Sequence, residues 1–317
     1  MALLCSDVFW RRRGEDVLAI DPSLDVIQME GHARLADEQL ARIEIAHFST
    51  ELYPDRSSHF MGACVRAPHL AWLQSFSAGV DHPVYACLVR AGVQVTTGRG
   101  AAAPSIAQSV IGSLLALSRD LAGAVHAQRA RRWAPRMSVD IDGRRLGVIG
   151  MGAIGSEVAR LAAAIGFEVT GLRRRVVGNE PVTTWEADRL DELLGWADAI
   201  VLATPLTEST RRLFDAAAFG AMRRGAWFVN VGRGEAVDEP SLIDALRSGH
   251  LGGAALDVFA TEPLPDDDPL WDAPNLIITA HCSGATERSL RRADDIFLDN
   301  LGRWRDGRPL VNTMSST

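Results

Sequence analysis

The sequence has no lysine. All 33 of its basic residues are arginine, set against 40 acidic ones for a formal charge of −7. That absence removes whole chemistries: a P-loop needs a Lys on its phosphates, a Schiff-base enzyme needs an amine nucleophile, and a Tyr-x-x-x-Lys reductase needs both of its members. Cysteine is scarce too. The four, at 5, 64, 87 and 282, have no C-x-x-C or zinc-like spacing, which argues against a disulfide framework or a structural metal. No apolar run reaches the ~18 residues of a membrane span, and the first ten residues lack a signal peptide's basic start, so a cytoplasmic chain without a membrane partner is expected. An acidic balance, with Arg in short scattered runs, predicts no nucleic-acid partner.

What is present is ordinary globular material: 317 residues, 47% hydrophobic, enough for two domains with real cores. Short apolar runs alternate with longer helical stretches, the pattern of parallel α/β units. Strands are expected at 3–9, 26–29, 43–48, 70–75 and 93–96, making a small open sheet. Pro104 then fits the first turn of an apolar helix running to about Leu121. A second series follows at 146–149, 168–172, 199–203, 227–231, 253–258 and 276–279, six strands of a doubly wound parallel sheet. The last helix, 287–304, comes too late to extend that sheet and is expected to return to the first domain.

Gly150-Met-Gly152-Ala153-Ile154-Gly155 lies between a strand and a helix. In that context the first Gly permits the tight turn, the second lets backbone approach a pyrophosphate, the third lets helix pack on strand, and the helix N-terminus faces the anion. The acid that would accept from a ribose 2′-hydroxyl about 20 residues on is missing. Gly171-Leu172-Arg173-Arg174-Arg175 stands there instead. Guanidinium groups suit a 2′-phosphate and cannot accept from a hydroxyl, so NADP(H) is expected to be preferred, with NAD(H) possible. Sequence does not separate Arg173 from Arg174, and a solvated Arg turn is the alternative.

Three more segments sit at strand ends of the second sheet: Val231-Gly232-Arg233-Gly234, Asp257 through Glu262 to Leu264, and Thr279-Ala280-His281-Cys282-Ser283-Gly284. With these, nearly the whole chain resembles the D-isomer-specific 2-hydroxyacid dehydrogenases, the superfamily of glyoxylate and hydroxypyruvate reductase, phosphoglycerate dehydrogenase and formate dehydrogenase. Reducing a 2-oxo acid requires a fixed carboxylate, a polarised carbonyl and a proton donor. Arg233, fork-shaped and always charged, suits the carboxylate and carbonyl oxygen; His281 suits acid/base work near neutral pH; Glu262 would orient it and favour its protonated form. Read singly, the three are a turn ion pair, a loop acid and a loop histidine.

The resemblance further implies that Phe76-Ser77-Ala78-Gly79-Val80-Asp81-His82 is a substrate loop, with the amides of Ala78, Gly79 and Val80 on the carboxylate. It places Thr204, Pro205, Val231 and Gly232 beside the cofactor, with Asp257 accepting from the nicotinamide amide or else capping a turn. It implies two Rossmann-like domains: a dinucleotide-binding one at 100–284 and a smaller flavodoxin-like substrate domain at 1–99 with 285–317. The helix from Pro104 resembles the family's dimerisation segment, so a homodimer is expected. His47 and Trp133 are candidates for shaping the substrate pocket. Gln108 stands where the family usually has Glu, and Ala280 where Pro commonly precedes the His. The expectation is an NADPH-preferring reductase of small 2-oxo acids such as glyoxylate or hydroxypyruvate, yielding D-2-hydroxy acids. Rivals are formate oxidation, disfavoured because formate dehydrogenases lack the partner that Glu262 supplies; phosphite oxidation, which keeps all three groups; and a cofactor-sensing binding module like the C-terminal-binding corepressors.

Overall fold

The computed structural model describes residues 1–80 and 82–314, so Asp81 of the expected substrate loop lies outside the described residues. The chain forms two compact units, Met1–Ala102 with Thr286–Thr317, and Ala103–Ala285.

In the first unit, β1 (Ala2–Ser6), β2 (Asp25–Met29), β3 (Ile43–Phe48), β4 (Trp72–Ser75) and β5 (Gln94–Thr96) pair in parallel in the order β2-β1-β3-β4-β5. That is the flavodoxin-like order. Every residue of β1 is buried, which is why it reads as an unbroken apolar run rather than an alternating one. The run expected to continue to Phe9 stops at Ser6. The Ser6 hydroxyl accepts from the Phe9 amide at 2.9 Å and caps the helix Asp7–Ile20, so Phe9 is already helical. The final helix, Glu287–Arg305, buries Phe297, Leu298 and Leu301 against Leu3, Phe9, Ile45 and Trp72. Asn300 locks it in place, donating to Gln74 Oε1 at 3.0 Å.

The second unit holds β6 (Arg145–Ile149), β7 (Glu168–Arg173), β8 (Thr184–Glu186), β9 (Ala199–Leu202), β10 (Ala226–Asn230), β11 (Leu251–Leu256) and β12 (Leu276–Ile278), parallel in the order β12-β11-β10-β9-β6-β7-β8. This is the doubly wound dinucleotide-binding order with one strand added at the edge. The sheet has seven strands where six were expected. β8, Thr-Trp-Glu, is only three residues long and none of them is buried, so it carries no apolar pattern and exists only through pairing with β7.

The helix beginning at Ala103 ends at Ser118, short of Leu121. Asp120 breaks it by taking a left-handed φ of 46° and capping a second helix, Leu121–Arg129, through the Gly123 amide at 3.1 Å. The two are bent by 64°, and among the described residues no single helix is long and apolar enough to cross a membrane. Ala107, Val110 and Leu114 of the first of them pack with Leu146, Val148 and Val158 in one core beneath the sheet.

Candidate active site

The reversal of strand order in the second unit falls between β6 and β9, and ligands of open α/β sheets sit at the carboxyl ends of strands beside such a reversal. Gly150 leaves β6 there with φ 98°, its amide donating to the Leu172 carbonyl at 2.8 Å. Gly155 has no room for a side chain: a Cβ would lie 2.0 Å from the Gly150 carbonyl oxygen. The turn therefore closes directly onto the helix Ala153–Ala164, whose cap, Gly152, is exposed and has open space where a side chain would stand. The amides of Ala153 and Ile154 lie in that helix's first turn, where no carbonyl within the helix can accept them. Across the reversal, the Thr204 hydroxyl is buried with no partner among the described residues, next to exposed Pro205. An open cap, orphan amides and an orphan hydroxyl fit a dinucleotide's pyrophosphate and sugar.

At the end of β7 the three arginines have different surroundings. Arg173 donates to Glu180 Oε1 at 2.8 Å, and Glu180 also accepts from the Val177 and Gly178 amides, each at 2.8 Å. Those two amides and the guanidinium hold the Glu180 carboxyl below the usual carboxylate range. Arg174 is exposed and makes no ion pair among the described residues. Glu180 was not anticipated from sequence; it acts only because the loop doubles back on Arg173.

Arg233, Glu262 and His281 follow β10, β11 and β12, three adjacent strands. Their ends are laced together: the Asp257 amide donates to the Asn230 carbonyl at 3.0 Å, and the His281 amide to the Asp257 carbonyl at 2.8 Å. Asn230 is fully buried and brackets the Arg233 turn, its Oδ1 accepting from Gly232 and its Nδ2 donating to the Arg233 carbonyl, both at 2.9 Å. Gly234 then passes so close to the next loop that a Cβ would stand 1.8 Å from the Phe259 carbonyl carbon. Arg233 itself is half-buried, with Nη1 donating to the Gly232 carbonyl at 2.8 Å.

His281 Nδ1 and Glu262 Oε2 are 2.7 Å apart, while Glu262 Oε1 accepts from the Phe259 amide at 2.9 Å. The carboxylate is thus fixed at both oxygens. It turns the imidazole so that Nε2 is left without a partner among the described residues. His281 has φ 48°, a backbone conformation uncommon for residues bearing side chains. Asp257 accounts for it. Its buried carboxylate accepts from Thr279 Oγ1 at 2.6 Å, from the Cys282 and Ser283 amides at 3.1 Å each, and from the Ser283 hydroxyl. Asp257 thereby clamps the loop on both sides of His281. Glu239 supports the preceding loop by accepting from the Ala260 amide at 2.8 Å; burial first, then Asp268, Glu235 and Asp238, push its carboxyl up.

In the first unit, the segment after β4 is folded by serines. Ser75 Oγ accepts from the Ser77 amide and Ser77 Oγ from the Gly79 amide, both at 3.2 Å. Of the three amides expected to meet a carboxylate, Gly79's is engaged, and those of Ala78 and Val80 have no acceptor among the described residues. His47 is fully buried, stacked on Phe297 at 4.1 Å and edge-on to Phe9 at 4.4 Å, so it packs under the helices instead of lining a pocket. Trp133 is 97% exposed.

A family model described as D-isomer specific 2-hydroxyacid dehydrogenase, NAD binding domain, matches residues 111–283. The chain belongs to that family. A putative 2-hydroxyacid dehydrogenase of Haemophilus influenzae is 36% identical over 74% of this chain and 77% of its own. A glyoxylate reductase of Aeropyrum pernix is 32% identical over 79% of this chain and 78% of its own. Among solved structures, a D-isomer specific 2-hydroxyacid dehydrogenase from Xanthobacter autotrophicus in complex with NADPH and MES has a TM-score of 0.79 at 31% identity, covering 100% of this chain and 99% of that one. The chain is therefore an NAD(P)-dependent D-2-hydroxyacid dehydrogenase, an oxidoreductase on a Rossmann framework.

Proposed function

We propose that this dehydrogenase reduces small 2-oxo acids, with glyoxylate and hydroxypyruvate the leading substrates and NADPH the preferred donor, giving the D-2-hydroxy acid where a stereocentre forms. The observation that carries the reading is the His281–Glu262 pair at 2.7 Å, with Arg233 on the neighbouring strand end. Its similarity to the Aeropyrum glyoxylate reductase supports the substrate class.

The nicotinamide, when bound, supplies the hydride to the substrate's carbonyl carbon. The protein does the rest. Arg233 holds the substrate carboxylate and polarises the carbonyl oxygen. His281, oriented through Nδ1 by Glu262, gives a proton from Nε2 to the oxygen on which negative charge develops. Asn230 and Asp257 act as positioning residues for the two loops. Gly150, Gly152, Ala153, Ile154 and Gly155 would hold the pyrophosphate, Thr204, Pro205, Val231 and Gly232 the rest of the dinucleotide, and the Ala78 and Val80 amides the substrate carboxylate. The chain works as a homodimer in the cytoplasm.

Cofactor preference follows from the strand end of β7. Arg174, which makes no ion pair among the described residues, meets the 2′-phosphate, and Arg173, paired with Glu180, stands beside it. Replacing Arg174 and Arg173 with Ala is expected to raise the KM for NADPH at least tenfold, about 1.4 kcal/mol, with NADH little changed. Equal losses for both cofactors would remove the preference from these residues.

A further inference from the structure

The first unit has a cavity of about 390 Å3 at the carboxyl end of β2, lined by Met29, Ala33, Arg34, Leu35, Ser58, His59, Gly62, Ala63 and Arg66. All of these residues belong to that unit. Along the sheet, β2 lies three strand positions from β4 and its loop Ala78–Val80, about 14 Å at the usual strand spacing. Nothing in the dehydrogenase reading uses this cavity.

Its lining departs from the rest of the molecule in charge. The chain is acidic overall, with net −7, yet the wall contains two arginines, a histidine and a serine and no carboxylate. Five other arginines of this unit, Arg11, Arg12, Arg13, Arg42 and Arg56, each pair with Asp or Glu. Arg34 and Arg66 make no ion pair among the described residues, and Arg66 donates through Nε only to the Gly62 carbonyl at 3.2 Å. Two positive charges thus share one concave wall without a counter-charge, which raises the local concentration of anions.

The polar and apolar parts of the wall are unequal partners. His59 Nδ1 is buried with no hydrogen-bond partner among the described residues, and the ring is braced edge-on by His32 at 5.1 Å. A buried polar atom without a partner costs free energy until something satisfies it. Met29, Ala33, Leu35 and Ala63 give the remaining wall an apolar character. Gly62 leaves space open, since nothing lies within 4 Å of where its Cβ would stand. The volume falls in the range of small-molecule sites, whose walls combine apolar surface with a few convergent polar groups.

We propose that this cavity is a second ligand site, taking a small organic anion whose carboxylate or phosphate meets Arg34 and Arg66 while its apolar body lies on Met29, Leu35 and Ala63. Charge and apolar surface are both required for binding. Inorganic phosphate, which lacks an apolar body, and benzyl alcohol, which lacks charge, are poor ligands, whereas benzoate and phenyl phosphate are good ones.

The test is calorimetric titration of the full chain, kept saturated with NADP+ so that the dinucleotide site is closed, using those four probes. Benzoate or phenyl phosphate binds saturably and at least tenfold more tightly than inorganic phosphate or benzyl alcohol, and the stronger of the two identifies the natural head group as carboxylate or phosphate. The double substitution Arg34→Gln, Arg66→Gln weakens that binding at least tenfold and leaves oxo-acid turnover unchanged. Gly62→Leu, on a helix with room for the side chain, blocks the probe without altering charge. No saturable binding by the wild-type protein, or equal affinity in the double variant, overturns the proposal. Because neither arginine serves the dehydrogenase reaction, that result leaves the reductase reading untouched.

Discussion

Arg233 is the residue at which charge and shape separate most cleanly. The surrounding turn is fixed by Asn230 on one side and by the close approach of Gly234 to Phe259 on the other, so the guanidinium starts from a defined place. Its planar fork matches a carboxylate bidentately, which an ammonium cannot do. Arg233→Lys keeps the charge and loses the fork. Steady-state kinetics should show the KM for the oxo acid rising tenfold or more with the dissociation constant for NADPH unchanged; an unchanged oxo-acid KM would place the carboxylate elsewhere. The placement of Arg233, Glu262 and His281 after neighbouring strand ends was legible in sequence because apolar runs mark the strands before them. The parts played by Asn230 and Glu180 were not, since one looks like the last residue of a strand and the other like a loop acid until the backbone folds around them.

At the level of elements, the final helix Glu287–Arg305 is held to the first unit by apolar packing and by a buried ionic cluster. Asp294 is 3% exposed; its Oδ2 accepts from Arg12 Nε at 2.9 Å, and its Oδ1 lies 3.7 Å from His47 Nε2, beyond hydrogen-bond reach. Burial alone would push its carboxyl up, but His47 and Arg12 outweigh that and hold it below the ordinary value of 3.8. A depressed carboxylate stabilises the fold above its unfolded value and loses that contribution as pH falls through the folded one. Thermal unfolding followed from pH 7 to pH 2.5 should therefore show a loss below about pH 4 that is smaller in Asp294→Asn. That variant should itself be less stable at pH 7 by about 1.5–3 kcal/mol, the range for a charge-assisted bond; wild-type stability at pH 7 in the variant would contradict the role. The helix was legible from its periodicity and β8 was not, because three half-exposed residues become a strand only when β7 offers an edge. The break at Asp120 was missed because apolar residues resume at Leu121 after a short polar stretch, Ser118 to Asp120, and a left-handed φ has no pattern of its own.

Across the whole molecule, the missing lysine now has a distribution rather than only a consequence. Most of the arginines with close partners are spent in surface ion pairs of small individual worth, such as Arg160 with Glu157 and Arg189 with Glu192. A few stand where the proposed roles would use a fixed planar cation: Arg233 after β10, Arg173 and Arg174 at the end of β7, Arg34 and Arg66 around the cavity. The parallel architecture was legible because alternating apolar runs and helices permit few arrangements. The cavity was not, since its walls come from β2, the loop after it and a helix some thirty residues later, and no sequence pattern joins them. The proposed reduction has His281 deliver the proton to the 2-oxo acid as NADPH gives up its hydride. It is tested most directly by following NADPH absorbance with glyoxylate or hydroxypyruvate for the wild-type protein and His281→Ala, with NADPH binding measured in parallel by fluorescence. The wild type should consume NADPH, and the variant should lose nearly all turnover while retaining NADPH binding. A wild type that leaves NADPH unoxidised, or a variant that turns over near the wild-type rate, would contradict it.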